Sequence, residues 1–261
     1  MENPDAVPAW RPASPTAGAT LVAGPWAPLP AATAARPLLG LTVLLVEDSR
    51  FASDALRLLA QRSGARLRRA DSLEAAGRHL RTYRPGAVVV DVGLPDGSGL
   101  DLVRALARAT PRIALILATS ADPATREDAL AAGADGFLLK PVLSLAAFQA
   151  ALSPALPGAR ALRLVTDDRV TPDPLAYRDD LRHGARALDA PAGEAEDPSE
   201  ERRGPRLAYA MQFLGGLARA AGDAVVVEAV AAVEAGRRQG PALPEIARLR
   251  AVVNARLATP L

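Results

Sequence analysis

Short apolar runs alternate with longer amphipathic segments between residues 41 and 152. The runs are rich in Val, Leu and Ile, which is typical of strands buried on both faces of a parallel sheet. The segments between them place apolar residues at helical spacing, and serine, proline and glycine mark where they begin or end. The pattern predicts five strand–helix units. The predicted strands cover residues 42–46, 65–69, 87–90, 113–118 and 137–139, and the predicted helices cover 51–61, 72–81, 100–109, 123–132 and 144–153.

The second predicted strand is more polar than the others, because Leu67 is followed by Arg68 and Arg69. A polar strand belongs at the edge of a sheet, and helical crossovers of this length join parallel strands with right-handed connections. The expected fold class is therefore α/β, a doubly wound (βα)5 parallel sheet with the flavodoxin-like strand order 2-1-3-4-5. In that order the carboxyl ends of strands 1 and 3 lie side by side, where such sheets bind ligands.

Chemically active side chains stand at the carboxyl ends of four predicted strands: Glu47 and Asp48, then Asp91, Thr119 and Lys140. Three carboxylates at one edge repel each other unless a cation neutralises them, and Mg2+ held by carboxylates, water and phosphate is the usual arrangement. Asp91 precedes a glycine-containing loop, and a carboxylate there can attack a phosphoryl group to form an acyl phosphate. The metal, Lys140, the Thr119 hydroxyl and loop amides would then bind the phosphoryl oxygens.

Composition adds one signal and several exclusions. Lys140 is the only lysine among 31 basic residues, so a compact ammonium stands at that strand end in a chain that otherwise uses arginine. The chain has no cysteine, which excludes disulfides and thiolate chemistry. The sequence begins without a secretory leader pattern, and no apolar run reaches the roughly 20 residues that cross a bilayer. We therefore expect a cytoplasmic protein without a membrane partner.

The rest of the chain divides into an arm, a linker and a helical region. Residues 1–38 are rich in Ala and Pro and predict a disordered arm ahead of the strand–helix domain, residues 39–153. Residues 154–205 are interpreted as a linker with one helix over 173–188. Apolar stripes predict three helices packed as a small all-α bundle within 206–261, with the helix of the linker as a candidate fourth member. The stripes comprise Leu207, Met211, Leu214, Ala218 and Ala221, then Val226, Val230 and Val233, and finally Leu243, Ile246, Leu249, Val253 and Leu257.

Residues 41–152 resemble the receiver domain of two-component response regulators. Four segments carry the resemblance in the family's order and spacing: Val46-Glu47-Asp48, Val90-Asp91-Val-Gly-Leu-Pro95-Asp-Gly-Ser-Gly99, Ala118-Thr119-Ser120 and Gly133-Ala-Asp-Gly-Phe137-Leu-Leu-Lys140-Pro141. The resemblance implies that Asp91 accepts a phosphoryl group from a sensor histidine kinase or a phosphotransfer protein. It also implies that the chain is not an enzyme beyond its own phosphorylation and dephosphorylation.

The same resemblance implies a role for each residue around Asp91. The implied ligands of Mg2+ are Glu47, Asp48, Asp91 and the backbone carbonyl of Gly93. Lys140 would pair with the phosphoryl group, and its peptide bond to Pro141 would be cis.

The resemblance also identifies Thr119 and Phe137 as the switch hydroxyl and the switch aromatic residue, which rearrange on phosphorylation in the family. Two departures from the family pattern concern this switch. Phe137 replaces the commoner tyrosine, so its ring can rotate but carries no hydroxyl. The segment between Thr119 and Gly133 is one residue short, so Ser120 is an alternative switch hydroxyl. We favour Thr119 because its distance from Asp91 along the chain fits the family.

Three hypotheses describe the output of the C-terminal helices. The favoured one is a protein-interaction module that binds a kinase, a phosphotransfer protein or a second copy as a homodimer. Nucleic-acid binding by helix 245–256 is disfavoured, because loop 236–244 is long and contains proline and the helix start lacks Asn or Gln for reading bases. A phosphate sink or phosphorelay intermediate is the third. His183 is a candidate phosphotransfer histidine, although its flanking sequence is unfavourable. An enzymatic output is disfavoured, since these helices show no paired acids or phosphate-binding glycine loop.

Overall fold

The computed structural model of the protein describes residues 32–33, 35–156, 168–189, 200–237 and 243–259. Its central feature is a sheet of five parallel strands in the order β2-β1-β3-β4-β5, as predicted. The α/β doubly wound fold class is therefore confirmed. The strands are β1 (Thr42–Val46), β2 (Arg66–Ala70), β3 (Ala87–Asp91), β4 (Leu115–Ser120) and β5 (Gly136–Leu139).

Five helices cover the two faces of this sheet, and a short hairpin of Gly93–Leu94 with Gly97–Ser98 follows β3. Four of these helices begin at a serine whose side chain accepts a backbone N–H of the first turn. Gly64 ends the first helix in a left-handed conformation, with φ at 83°. The helices are α1 (Arg50–Ser63), α2 (Leu73–Thr82), α3 (Gly99–Arg108), α4 (Thr125–Ala131) and α5 (Leu145–Leu152).

The fourth strand and the fourth helix each begin two residues later than predicted. The fourth strand begins at Leu115 because its first ladder partner on β3 is Ala87, so Ile113 is buried but lies ahead of the ladder. The fourth helix begins at Thr125, because the side chain of Asp122 accepts the backbone N–H of Ala124 and holds the chain in a turn. At the N-terminal side, Leu38 is fully buried and its N–H donates to Ser63 O, so the core of the domain includes a residue placed in the predicted arm. The rest of that arm, apart from residues 32–33 and 35–37, lies outside the described residues.

The C-terminal region forms a four-helix bundle, hereafter the bundle, and the helix predicted in the linker is its first member. The helices are α6 (Pro174–Asp189), α7 (Glu200–Ala221), α8 (Ala224–Arg237) and α9 (Leu243–Ala258). Most of the predicted stripe residues are buried or half-buried between them, but Ala221 and Leu243 are exposed because each lies at a helix end. The parts of the predicted linker at 157–167 and 190–199 lie outside the described residues.

Asp223 joins three helices of the bundle through one carboxylate. It caps α8 by accepting the N–H of Val226 at 3.2 Å, and it accepts the hydroxyl of Tyr177 on α6 at 2.9 Å. Two N–H groups of Arg256 on α9 donate to it at 2.7 and 3.1 Å. The hydrogen bonds from Arg256 hold the pKa of Asp223 below its usual value. These contacts stabilise the ionised form of Asp223 in the folded state.

We expect Asp223→Ala to lower the free energy of unfolding of the bundle by about 2 kcal/mol at pH 7. About half comes from the lost helix cap and the rest from the hydrogen bonds with Tyr177 and with the half-buried Arg256. Because the folded-state pKa of Asp223 is depressed, this contribution is complete above about pH 4 and declines as the pH falls through the folded-state pKa. Urea unfolding of the wild type and of the variant, at pH 7 and at pH 3, measures the loss of stability and its dependence on pH. The exposed acid Glu228 on α8 provides the control, and a Glu228→Ala loss as large as that of Asp223→Ala would contradict the prediction.

Candidate functional site

Three carboxylates meet at the carboxyl edge of the sheet, as the sequence predicts. Glu47 and Asp48 follow β1, and Asp91 is the last residue of the neighbouring strand β3. One oxygen of each lies within 4.8 Å of the others, and we call the three residues the acid cluster. Glu47 is 0% exposed and Asp91 is 8% exposed, so the cluster is largely withdrawn from water.

Lys140 lies one residue beyond β5 and contacts two members of the acid cluster. Its Nζ is 2.6 Å from Glu47 Oε2 and 2.9 Å from Asp91 Oδ2. Burial opposes the charge of Lys140, but the adjacent carboxylates of Asp91 and Glu47 outweigh it and hold the pKa of Lys140 above its usual value. The ammonium therefore stays charged and bridges the phosphoacceptor candidate to its buried neighbour. The peptide bond from Lys140 to Pro141 is cis, as the resemblance implies.

The acid cluster carries more negative charge than one lysine neutralises. Burial raises the pKa of Glu47 to about 8, and burial likewise raises the pKa of Asp48 to about 6. Three carboxylates facing one ammonium leave two negative charges when all are ionised, which suits one divalent cation. An all-oxygen donor set of this size fits Mg2+, which prefers a few carboxylates together with water. Glu47, Asp48 and Asp91 would hold it. The carbonyl of Gly93 as a further ligand stays a prediction.

The two candidate hydroxyls on β4 point to different places. Thr119 pairs with Asp91 in the ladder, but it is fully buried and its hydroxyl donates to Leu138 O at 2.8 Å. Ser120 lines the cavity beside Asp91 and Lys140. The sequence favours Thr119 as the hydroxyl of the site, whereas the structure brings Ser120 to the cavity. Phe137 on β5 is half-buried against the apolar cluster of the α2–α4 face, and its switch role stays a prediction.

Arg69 fixes the backbone that carries the first two acids, a role that sequence reasoning missed. Its guanidinium donates to Glu47 O at 3.0 Å and to Asp48 O at 2.6 Å. Arg69 lies on the edge strand β2, where its position predicts only a solvated side chain. Alternation places Arg69 on the same side of β2 as Leu67 and opposite to Arg68, but it gives no sign of the hydrogen bonds to the backbone.

The bundle docks directly beside the acid cluster. Asp180 of α6 is 3% exposed and accepts three hydrogen bonds at the start of α1. The donors are Ser49 Oγ at 2.7 Å, Arg50 N at 3.0 Å and Phe51 N at 2.9 Å. A carboxylate at a helix N-terminus is favoured by the unpaired N–H groups and the helix dipole. Asp180 therefore anchors the bundle to the segment that follows Glu47 and Asp48.

Helix α7 supplies a second contact with the acid cluster. The hydroxyl of Tyr209 donates to Asp48 Oδ2 at 2.5 Å, and the side-chain amide of Gln212 packs against Gly93. The acid cluster, Lys140 and α7 enclose a cavity of about 160 Å3. Helix α7 thus forms one wall of the space in front of Asp91, so the docked bundle restricts the approach of a protein donor.

His183 on α6 lies at the margin of this contact. It is exposed, its Nε2 is 3.1 Å from the Tyr209 hydroxyl, and its ring packs edge-on against Phe213. The hydrogen bond therefore connects His183 to Tyr209, and Tyr209 in turn contacts Asp48. A phosphotransfer role for His183 stays a hypothesis.

Residues 43–152 match the family model described as the response regulator receiver domain. The KDP operon transcriptional regulatory protein KdpE of Escherichia coli is 30% identical over 154 residues, which are 59% of this chain and 65% of that protein. The virulence transcriptional regulatory protein PhoP of Salmonella typhimurium is 30% identical over 100 residues, 38% of this chain and 45% of PhoP. The chain thus spans less than two thirds of the length of either relative.

Two solved structures illustrate the structural similarity. The chemotaxis response regulator CheY4 of Vibrio cholerae is 23% identical, with a TM-score of 0.40, over 44% of this chain and 98% of that one. The receiver domain of NtrX from Brucella abortus is 22% identical, with a TM-score of 0.40, over 44% and 97%. Within the described ranges, no helix has the length and apolar character needed to span a membrane.

Proposed function

We propose that this chain, whose residues 43–152 are a receiver domain of the two-component response regulators, takes up a phosphoryl group on Asp91 and passes the signal to its bundle. A sensor histidine kinase or a phosphotransfer protein would supply the phosphoryl group. The observation that carries the proposal is the bridge from Lys140 to Asp91 and Glu47 inside the acid cluster.

The chemistry follows from the residues around Asp91. An Asp91 carboxylate oxygen attacks phosphorus, the bond between phosphorus and the donor atom breaks, and the donor leaves with its electron pair. Lys140 Nζ lies 2.9 Å from Asp91 Oδ2, so it can bind the negatively charged oxygens of the transferred phosphoryl group. The Gly93 N–H, 3.4 Å from Asp91 Oδ1, and the Ser120 hydroxyl are further donors at the same edge. Bound Mg2+ would neutralise the charge that the carboxylates and the phosphoryl group bring together.

The bundle is the part of the protein that would respond to phosphorylation of Asp91. A phosphoryl group on Asp91 adds a dianionic group to a cavity whose other wall is α7. The contact between Tyr209 and Asp48 then competes with the new charge and with metal binding at the same carboxylate. Phosphorylation should therefore weaken docking of the bundle and expose its α6 and α7 surface to a protein partner or a second copy.

The test uses a small acyl phosphate with Mg2+ as the donor. Borohydride reduction converts an aspartyl phosphate to homoserine, which mass spectrometry locates in the sequence. We expect homoserine at position 91 and a change in association, measured by light scattering on the same sample. Homoserine at another position, or none at saturating Mg2+, would refute the phosphoacceptor role of Asp91. Homoserine at position 91 without any change in association or in bundle docking would refute the proposed output.

Transcriptional regulation is the second candidate, since KdpE and PhoP are both named transcriptional regulatory proteins. Two arginines of α9 that could face DNA form hydrogen bonds with other residues of the bundle. Arg250 donates to Leu188 O, and Arg256 pairs with Asp223. An electrophoretic mobility assay at several salt concentrations, with phosphorylated protein, separates the two outputs. Specific retardation that survives physiological salt would favour transcriptional regulation over the interaction module.

A further inference from the structure

Gly93 has no side chain, and a side chain from the bundle occupies the space beside it. A Cβ placed on Gly93 would lie 2.1 Å from Gln212 Nε2 and 2.5 Å from its Cδ. Gly93 is not among the glycines with positive φ, so its backbone does not require glycine. The missing side chain instead makes room for the Gln212 amide, two residues beyond Asp91.

Gln212 borders the phosphoacceptor cavity, although part of its side chain is exposed to solvent. Gln212 lines the cavity together with Asp91, Lys140 and Ser120. A side-chain amide offers two N–H donors and one carbonyl acceptor, so it can hold a water molecule by either hydrogen-bonding role. Among the described residues, none forms a hydrogen bond with the Gln212 side chain. Helix α7 is anchored on both sides of the site, by Tyr209 and by the packing of Gly216 against Ala121.

We propose that Gln212 is a positioning residue for hydrolysis of the aspartyl phosphate on Asp91. The inference rests on the proposed function, since it concerns the lifetime of the phosphoryl group formed there. Gln212 orients a water molecule toward phosphorus, which is a role that glutamine performs in other phosphoryl-transfer sites. In this proposal phosphorylation weakens docking without abolishing it, and hydrolysis is fastest in the fraction of phosphorylated protein whose bundle stays docked.

The step is a simple hydrolysis. The water oxygen forms a bond to phosphorus while the bond from phosphorus to the Asp91 carboxylate oxygen breaks. Asp91 leaves as a carboxylate with the bonding electron pair, and the two protons of the water depart with inorganic phosphate or pass to solvent. Lys140 then returns to the Asp91 carboxylate, the contact seen in the structure.

The experiment measures loss of the acyl phosphate after the donor is removed by desalting, with Mg2+ saturating for every variant. Gln212→Leu keeps the size of the side chain and removes its hydrogen bonds. We expect it to slow hydrolysis about 10-fold, the effect of one neutral hydrogen bond lost from the transition state. Arg206→Leu, at an exposed position six residues earlier on α7, is the matched control and should keep the wild-type rate.

Docking of the bundle is checked in the same samples by hydrogen exchange at the amides of Arg50 and Phe51, which Asp180 protects. A docked Gln212→Leu protein with slow hydrolysis supports positioning, because packing alone would leave the rate unchanged. A docked protein with the wild-type rate, or with faster hydrolysis, overturns the proposal.

A second route removes the same amide from the cavity. Asp180→Ala releases the bundle while leaving Gln212 intact, so we expect the same slow hydrolysis. Gln212→Leu should then add nothing in the Asp180→Ala background. If the released bundle leaves the lifetime at its wild-type value, Gln212 does not position water. Failure to label Asp91 in the wild type is a separate result, which refutes the proposed function before any lifetime is measured.

Discussion

Lys140→Ala is expected to slow phosphoryl transfer from a small acyl phosphate to Asp91 by about 100- to 1000-fold, the usual effect of removing one preorganised donor to a developing negative charge. In the structure this ammonium contacts both Glu47 and Asp91, so its removal leaves two buried carboxylates facing each other. Glu47 can then take up a proton, because burial already raises its pKa to about 8. The variant should therefore fold and lose activity rather than stability.

The measurement is the rate of acyl phosphate formation at saturating Mg2+, followed by borohydride trapping. Lys140→Arg is the matched variant, since it keeps the positive charge in a planar, bulkier group. We expect Lys140→Arg to recover only part of the rate, because Lys140 is almost fully enclosed and both its contacts come from one nitrogen. A Lys140→Ala rate within threefold of wild type would rule out this role. Because Lys140 is the only lysine, 15N-lysine labelling gives one backbone amide signal that reports on the site directly.

The residues that meet at the carboxyl edge of the sheet could be predicted, because each strand and its final polar residue are visible in a short stretch of sequence. Each strand is an apolar run with a polar residue at its end, and parallel pairing brings those ends together regardless of the rest of the chain. Glu47, Asp48, Asp91 and Lys140 therefore meet where the sequence places them. The choice between Thr119 and Ser120 is different. Thr119 and Ser120 are adjacent on β4, so alternation directs their side chains to opposite sides of the sheet. In the structure the Thr119 hydroxyl donates to Leu138 O and Ser120 lines the cavity, and the identity of the switch hydroxyl stays a prediction.

The bundle wall of the cavity could not be predicted, because docking between two units leaves no periodic signal. Asp180 lies in a polar stretch of α6, Arg178-Asp-Asp180, which predicts a solvated face. Tyr209 and Gln212 lie one turn apart on α7, and the stripe analysis of that helix identifies only its apolar side. Only the placement of α1 between the sheet and α6 brings these side chains to the acid cluster. The helix at 173–188 was predicted correctly, but its interpretation as part of a linker hid its contact with the site.

Asp180→Ala is expected to release the bundle from the strand–helix domain. Asp180 is buried and accepts hydrogen bonds from the Ser49 hydroxyl and from the backbone N–H groups of Arg50 and Phe51. Among the described residues, no other acceptor binds these two N–H groups. Loss of three hydrogen bonds to a buried charge should cost about 3 kcal/mol, even though burial of the carboxylate offsets part of their strength. The docking equilibrium would shift roughly 100-fold toward the open form.

Asp179→Ala is the control for this prediction. It removes the same charge from the adjacent position, but Asp179 is exposed and only pairs with the exposed Arg50 and Arg182, so its contribution to docking should be small. Hydrogen exchange at Arg50 and Phe51 should accelerate in Asp180→Ala and stay near the wild-type rate in Asp179→Ala. The open form should also accept a phosphoryl group faster from a protein donor, because the bundle no longer covers Asp91. The initial rate of labelling by a small acyl phosphate should change little. Equal exchange in both variants would place the docking energy in the apolar contact of Phe51 with Tyr177 instead of in the Asp180 carboxylate.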